Sequence, residues 1–278
     1  MPSNLSCTVP NAVKLTRRSD LMSASKPVWL IGTMSAPGDI ERRTLIRSTW
    51  QALYNDTNYT FRFVLGKVDD EYAKAIDAEQ AQYNDLLLIP SLEEKPGHTR
   101  TIKPLEFLAQ VTTSGEFYDF VSVVSDDSFI NIPDFTKEYI APRMRRAVPE
   151  PCLIGRPLIY RSQPAGQKFM YPDAQFFTLS WDLVEVVARQ YSLAPPKDAG
   201  DEILGRLLDR SQEIFAFVRL SNRQVFNYDP RRDDPHAWSH RICKDAINPG
   251  GIKLDRTFLE VAKFFNKDGI TAEGTKHC

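Results

Sequence analysis

The chain has 278 residues, 42% of them hydrophobic and 26% charged, which supplies apolar material for one large α/β domain or two small ones. Its formal net charge is -1, with lysines and arginines spread along the chain, so a nucleic-acid partner has no electrostatic support. No stretch reaches the roughly 18–20 apolar residues that span a bilayer, and the N-terminal segment has no signal-peptide core, so a membrane is expected only through an anchor absent from this sequence.

Residues 1–26 are polar and mixed and are expected to form a poorly ordered tail. Residues 27–33 (PVWLIGT) read as a buried strand. Residues 37–53 read as a helix, with Ile46, Trp50 and Leu53 at helical spacing. A strand over 60–66 (TFRFVLG) ends on Gly66, and a helix polar on one side follows over 69–83. A short apolar strand is expected over 86–89, a helix over 101–113, and a strand over 120–124 (FVSVV) that stops at Ser125–Asp126–Asp127–Ser128. In the middle third, prolines 142, 149, 151, 157 and 164 suggest only short pieces. Helices return over 180–191 and 201–210, the latter with Ile203, Leu204, Leu207 and Leu208 on one face. Residues 220–249 look loop-rich, and an amphipathic helix over 257–265 closes the chain. Alternating strands and helices argue for α/β architecture, with ligands beyond the carboxyl ends of strands.

The four cysteines, Cys7, Cys152, Cys243 and Cys278, match no zinc spacing. A Cys152–Cys243 disulfide would need an oxidising compartment. Sequons at Asn4, Asn55 and Asn58 are compatible with a secretory route.

An apolar strand running into Asp126–Asp127 has a chemical use. Hard divalent cations take oxygen ligands, and Mn²⁺ or Mg²⁺ bridges carboxylates to substrate phosphates. Read alone, the same residues also suit a solvated turn. Arg42, Arg43 and Arg47 crowd one helix, with Arg43 and Arg47 on one face; they suit either a diphosphate or a solvated basic surface. Lys103 either meets a nucleotide phosphate or pairs with Asp126. Asp201 sits where a helix begins and could simply cap it.

Several segments in order resemble one family. RRTLIRSTW (Arg42–Trp50) resembles R-R-x-x-I-R-x-T-W of the β-1,3-galactosyltransferase and N-acetylglucosaminyltransferase family, glycosyltransferase family 31. FRFVLG, Glu79 with Tyr83–Asn84–Asp85–Leu86, Thr101–Ile102–Lys103, VSDDSFIN (Val124–Asn131), SWDLV and GDEILG (Gly200–Gly205) resemble its later motifs. The resemblance implies one GT-A-like α/β domain over 27–278, a mixed central sheet flanked by helices. Its nucleotide-binding half would cover about 27–131 and its acceptor half about 132–278. It implies a Golgi or secretory-lumen enzyme, though the sequence leaves a cytoplasmic location open. Its activity would be inverting transfer of galactose or GlcNAc from a UDP-sugar to a glycan or glycoconjugate hydroxyl, with a β-1,3 linkage.

By the same resemblance Asp127 is the main protein ligand to Mn²⁺ (or Mg²⁺), joined by His236 or His240. Asp126 supports the donor, Arg43, Arg47 and Lys103 lie near the nucleotide, and Asp201 is the base, with Glu202 as fallback. Three departures stand out. Ser125 replaces the family's first carboxylate, Gly200 replaces its glutamate, and YPDAQFF (Tyr171–Phe177) lacks the glycines of an acceptor segment. They leave room for a non-catalytic nucleotide- or glycan-binding protein on the same scaffold. A phosphatase or hydrolase using the acidic pair leaves the arginine helix unexplained.

Overall fold

The computed structural model describes residues 29–55, 58–95, 98–144, 150–161, 168–196 and 200–275. The expected tail, Asn4, Cys7 and Cys278 lie outside them. The first half is β1 (Trp29–Met34), α1 (Ile40–Ile46) continued by a π-helical turn (Arg47–Gln51), β2 (Tyr59–Leu65), α2 (Asp70–Tyr83), β3 (Leu86–Leu88), α3 (His98–Thr113) and β4 (Phe120–Ser125). These strands are parallel and stand in the order β3-β2-β1-β4. Both sheet faces are covered, which explains the unbroken apolar runs. In β1, Trp29 and Ile31 enter one apolar cluster and Leu30 the other. In β4, Val124 faces the first cluster and Val121 and Val123 the second.

The second half adds α4 (Ile132–Phe135), a π-helical turn (Thr136–Ile140) and α5 (Ala141–Met144). The long strands β5 (Cys152–Arg161) and β6 (Lys168–Ser180) follow, then α6 (Trp181–Leu193), α7 (Ile203–Ser211) and β7 (Ala216–Arg219). β6 runs antiparallel to both β4 and β5, and β7 pairs parallel to β5, so one mixed sheet of order β3-β2-β1-β4-β6-β5-β7 runs through both halves. This is the mixed central sheet flanked by helices that the sequence led us to expect.

The long hairpin corrects the expectation of short, proline-broken pieces. Pro157 lies opposite Pro172, just past a register shift at Gly155, and β7 no longer pairs there. A proline at a bulge or an edge removes no ladder donor. Between its pairings Gly155↔Phe177 and Pro157↔Pro172, β6 carries the extra residues of a bulge. The last pairing of β6 with β4 is Val124↔Phe176. The bulge therefore falls immediately beyond the end of β4, where it re-aims side chains next to the acidic pair.

Residues 220–249 are loop-rich as expected, yet they supply a small parallel sheet: β8 (Val225–Tyr228), β9 (Ser239–His240) and β10 (Asn248–Gly250). α8 (Asp255–Ala262) follows, then a short antiparallel pair, β11 (Phe265–Asn266) with β12 (Gly269–Ile270), and α9 (Ala272–Thr275). α8 buries Phe258 and Val261. Among the described residues no helix is long and apolar enough to cross a membrane. Cys152 is buried as a thiol at the start of β5, whereas Cys243 is disulfide-bonded, so the bridge considered from the sequence does not form.

Candidate active site at the carboxyl ends of β1 and β4

β1 and β4 are adjacent and parallel, with Met34 opposite Ser125. Their carboxyl ends therefore bring the loop 35–39 beside Ser125–Asp127. The loop after β4 is held by a second run of backbone from 247 to 252. Phe129 N–H donates to Pro249 O at 2.9 Å, Asn131 N–H to Ile247 O at 2.8 Å, and Ile252 N–H to Asp127 O at 2.9 Å. A buried polar network locks the two runs together. Asn248 donates to Ser128 Oγ and Phe129 O, both at 3.0 Å, and Gln175 from the β6 bulge donates to Asn248 Oδ1 at 2.8 Å. Gly250 makes room for Gln175, since a Cβ there would lie 2.4 Å from its side chain. Buried amides fully engaged in this way fix one loop geometry.

Within that frame the two aspartates differ. Asp127 Oδ1 accepts from Ser125 Oγ at 2.7 Å, and Oδ2 forms an ion pair with Lys253. Asp126 is pushed up to about 7, first by burial, then by the carboxylates of Asp127 and Asp39, with Arg42 and Lys253 pulling the other way. A carboxyl that holds its proton more tightly folded than unfolded contributes stability at low pH. That stability is lost as pH rises from its unfolded value near 4 towards 7. Asp126→Asn should therefore stabilise the metal-free protein at pH 7.5, by on the order of 2 kcal/mol, and the gain should shrink towards pH 4. Thermal unfolding in EDTA at both pH values checks this; an equal effect at both would refute the assignment.

The three basic residues expected near the nucleotide are used inside the protein. Arg43 is wholly buried and grips Glu79 with two bonds of 2.8 Å. It also donates to Ser35 Oγ at 3.1 Å, Ala36 O at 2.5 Å and Pro37 O at 3.2 Å. It thus shapes the loop after β1 without facing a ligand. Arg47 grips Asp85 with two bonds of 2.8 Å, reaches Glu79 at 2.7 Å, and lies over the rings of Phe63 and Tyr83. Burial would raise the Glu79 carboxyl, but hydrogen bonds from Arg43 and Arg47 outweigh it and hold it below its usual value. Lys103 donates to Ser35 O at 2.7 Å and pairs with Glu94 at 2.5 Å, not with Asp126. Glu94 also accepts from Gly66 N–H at 2.7 Å, so Lys103 joins the ends of β1 and β2.

The histidines are not presented as ligands. His236 lies in a turn and His240 in β9. His240 is fully buried and stacked on Phe226 at 3.8 Å, with Nδ1 and Nε2 at 2.6 and 2.9 Å from the carbonyls of Arg241 and Asn222. His236 is exposed on a turn shaped by Asp234, whose carboxylate accepts its N–H at 2.9 Å. Among the described residues no three carboxylate, histidine or cysteine groups converge on a metal position. The Lys253 ammonium already occupies Asp127 Oδ2, so a hard cation would have to compete for that oxygen. The residues present do not fit the expected metal.

Asp201 lines a small pocket beside the β6 bulge. The pocket is lined by Thr101 and Pro104 of α3, Pro172 and Ala174 of the β6 bulge, and Gly200, Asp201 and Leu204 at the start of α7. Asp201 is exposed. The residue before α7 is Glu202, and it makes no side-chain cap. The capping role considered for Asp201 is therefore not used. Glu202 is instead tied to Arg206 at 2.8 Å. A Cβ at Gly200 would lie 2.5 Å from the Glu202 carboxylate. Glu202 thus fills the space into which a glutamate at 200 would extend. The Tyr171 phenol is raised first by burial and then by Asp201 and Glu202, so the YPDAQFF segment forms one wall of this pocket.

Sequence reasoning missed Lys253, Asn248 and Gln175, and it placed Arg43 and Arg47, not Arg42, near the nucleotide. Arg42 donates to Lys253 O at 2.8 Å and pairs with Asp255 at 3.0 Å.

A sequence model described as Galactosyltransferase matches residues 41–212. That range includes Arg42, Asp126, Asp127 and Asp201; Lys253 and both candidate histidines lie beyond it. Beta-1,3-galactosyltransferase 6 of Mus musculus is 37% identical over 103 residues, 35% of this chain and 31% of that protein. UDP-GlcNAc:betaGal beta-1,3-N-acetylglucosaminyltransferase 8 of Mus musculus is 30% identical over 109 residues, 38% of this chain and 28% of that protein. The matched segments thus span less than a third of either relative's length. Among solved structures, a glycosyltransferase involved in the glycosylation of the major capsid of PBCV-1 aligns with a TM-score of 0.49 at 11% identity, over 85% of this chain and 100% of that one.

Proposed function

The chain belongs to the galactosyltransferase family, and on that premise we propose that it transfers a hexose or N-acetylhexosamine from a UDP-sugar to a hydroxyl of a glycan or glycoconjugate. The observation that carries this reading is the β6 bulge, whose Gln175 braces the loop after β4 through Asn248 and whose Pro172 and Ala174 line the pocket at Asp201. A charged loop after β4 can receive a nucleotide diphosphate, and an exposed carboxylate, Asp201, stands beside a pocket walled by the β6 bulge.

In an inverting transfer the acceptor oxygen bonds to the anomeric carbon as the bond from that carbon to the phosphate oxygen breaks. The electron pair leaves on UDP, and the hydroxyl proton needs a base within reach. Asp201 is the candidate base. The divalent cation and β-1,3 linkage expected from the sequence stay expectations carried by the family. At Asp127 such a cation would have to displace Lys253. A secretory location is supported by the disulfide at Cys243 and by the exposure of Asn55 and Asn58.

The test is UDP release and sugar transfer across UDP-galactose, UDP-GlcNAc and a panel of β-linked sugar acceptors. Acceptor-dependent UDP release is the expected result. Tight UDP binding with no transfer to any acceptor would favour a binding protein on this scaffold, a reading to which Ser125 in place of a carboxylate already gives some weight.

A further inference from the structure

Lys253 lies 126 residues from its carboxylate partner, and its place is built into the backbone. Ile252 N–H is bonded to Asp127 O, and Arg42 holds the Lys253 carbonyl at 2.8 Å. Gly251, at φ 68, supplies the left-handed turn that brings the chain round. The Lys253 side chain is 78% exposed, so its ammonium touches Asp127 on one side and open solvent on the other. Behind it, Arg42 is largely enclosed, and its Nη1 is buried with no hydrogen-bond partner among the described residues. That nitrogen does not reach solvent, and the guanidinium lies over the Phe258 ring at 5.2 Å, so Arg42 lends positive charge from behind while the exposed Lys253 ammonium is the group that can meet the oxygens of an anion.

We propose that Lys253, with Arg42 behind it, supplies the positive charge for the donor's diphosphate at the position the family resemblance gives to a divalent cation. The proposal rests on the donor reading above. Lys253 and Arg42 each carry one positive charge, shared with the carboxylates of Asp127 and Asp255 respectively. The charge to be met is the one released on UDP when the bond between the anomeric carbon and phosphate oxygen breaks, the acceptor proton having gone to Asp201. The Ser125 hydroxyl fits this arrangement. It donates to Asp127 where a further carboxylate would add negative charge, so Asp127 serves to orient the lysine.

Calorimetry of UDP binding to the full chain, in EDTA and in MnCl₂, tests this. UDP should bind in EDTA, with MnCl₂ tightening it by less than about 3-fold. Lys253→Met should weaken binding in EDTA on the order of 10- to 100-fold, and Lys253→Arg should restore most of it. Lys253→Gln provides a second neutral variant, and thermal unfolding confirms that each variant folds. Binding of UDP only with MnCl₂ would overturn the proposal. So would a Lys253→Met protein that takes up Mn²⁺ and UDP more tightly than the parent, because the lysine would then merely plug a metal site. No UDP binding under either condition would remove the donor reading itself, and this proposal with it.

Discussion

Asp201→Asn should lower sugar transfer on the order of 10²- to 10⁴-fold, the usual contribution of a positioned general base, while leaving UDP affinity and thermal stability at parent values. Asp201 is exposed, lines the pocket opposite the β6 bulge, and is not the cap of α7. An exposed side chain in no structural role can be replaced by its isosteric amide within about 0.5 kcal/mol. Amide nitrogen cannot take a proton, so the loss should appear in kcat and not in donor binding. Glu202→Gln serves as the comparison. Its carboxylate pairs with Arg206 in an exposed contact, and such pairs are worth only about 0–1 kcal/mol. Transfer that survives Asp201→Asn and disappears in Glu202→Gln would move the base by one residue.

Much of the fold outside the β5–β6 hairpin was legible because its pattern is local. Apolar runs of four to six residues with turn chemistry at their ends gave β1, β2 and β4, and helical spacing gave α1, α6 and α7. The β5–β6 hairpin was hidden by its prolines. Proline is a breaker only where its N–H would be needed, and Pro157 lies where it is not. That fact belongs to the sheet and cannot be read from the chain.

The site divides in the same way. Asp126, Asp127 and Asp201 are visible because the residue type and its place at the end of a strand or the start of a helix carry the signal. Their partners are not. Lys253 reaches Asp127, and Gln175 reaches Asn248 from 73 residues away, with no local pattern to announce either contact. Arg43 and Arg47 show the opposite error. A basic helix face suggests a phosphate or solvent, yet Glu79 and Asp85 were already in view as motif residues. Two acidic groups in and just after α2, facing two arginines of the preceding helical segment, were the available clue. The histidines came from the resemblance and not from a local pattern; His240 lies in the strand β9, and both its ring nitrogens face carbonyls.

Arg43→Met should be the most damaging substitution for folding, at about 3–5 kcal/mol, the range for removing one partner of a buried ion pair. Arg43 is 0% exposed and Glu79 6%. Without the guanidinium, Glu79 keeps only Arg47, and the carbonyls of Ala36 and Pro37 lose their donor. The cost comes chiefly from the stranded charge and less from the lost attraction, so a second change at Glu79 offsets it. Arg43→Met with Glu79→Leu should recover most of the stability, because replacing a buried pair by apolar groups is often neutral. It should not recover donor binding in full, since the loop 35–39 would still lack its anchor beside Asp126. Denaturant unfolding of the two variants, followed by UDP titration of the double variant, separates these effects. A stable Arg43→Met protein that has lost only UDP affinity would return Arg43 to the donor site, where the sequence first suggested it. A destabilised one rescued by Glu79→Leu would keep it as the buried pin that sets the position of the loop beside the acidic pair.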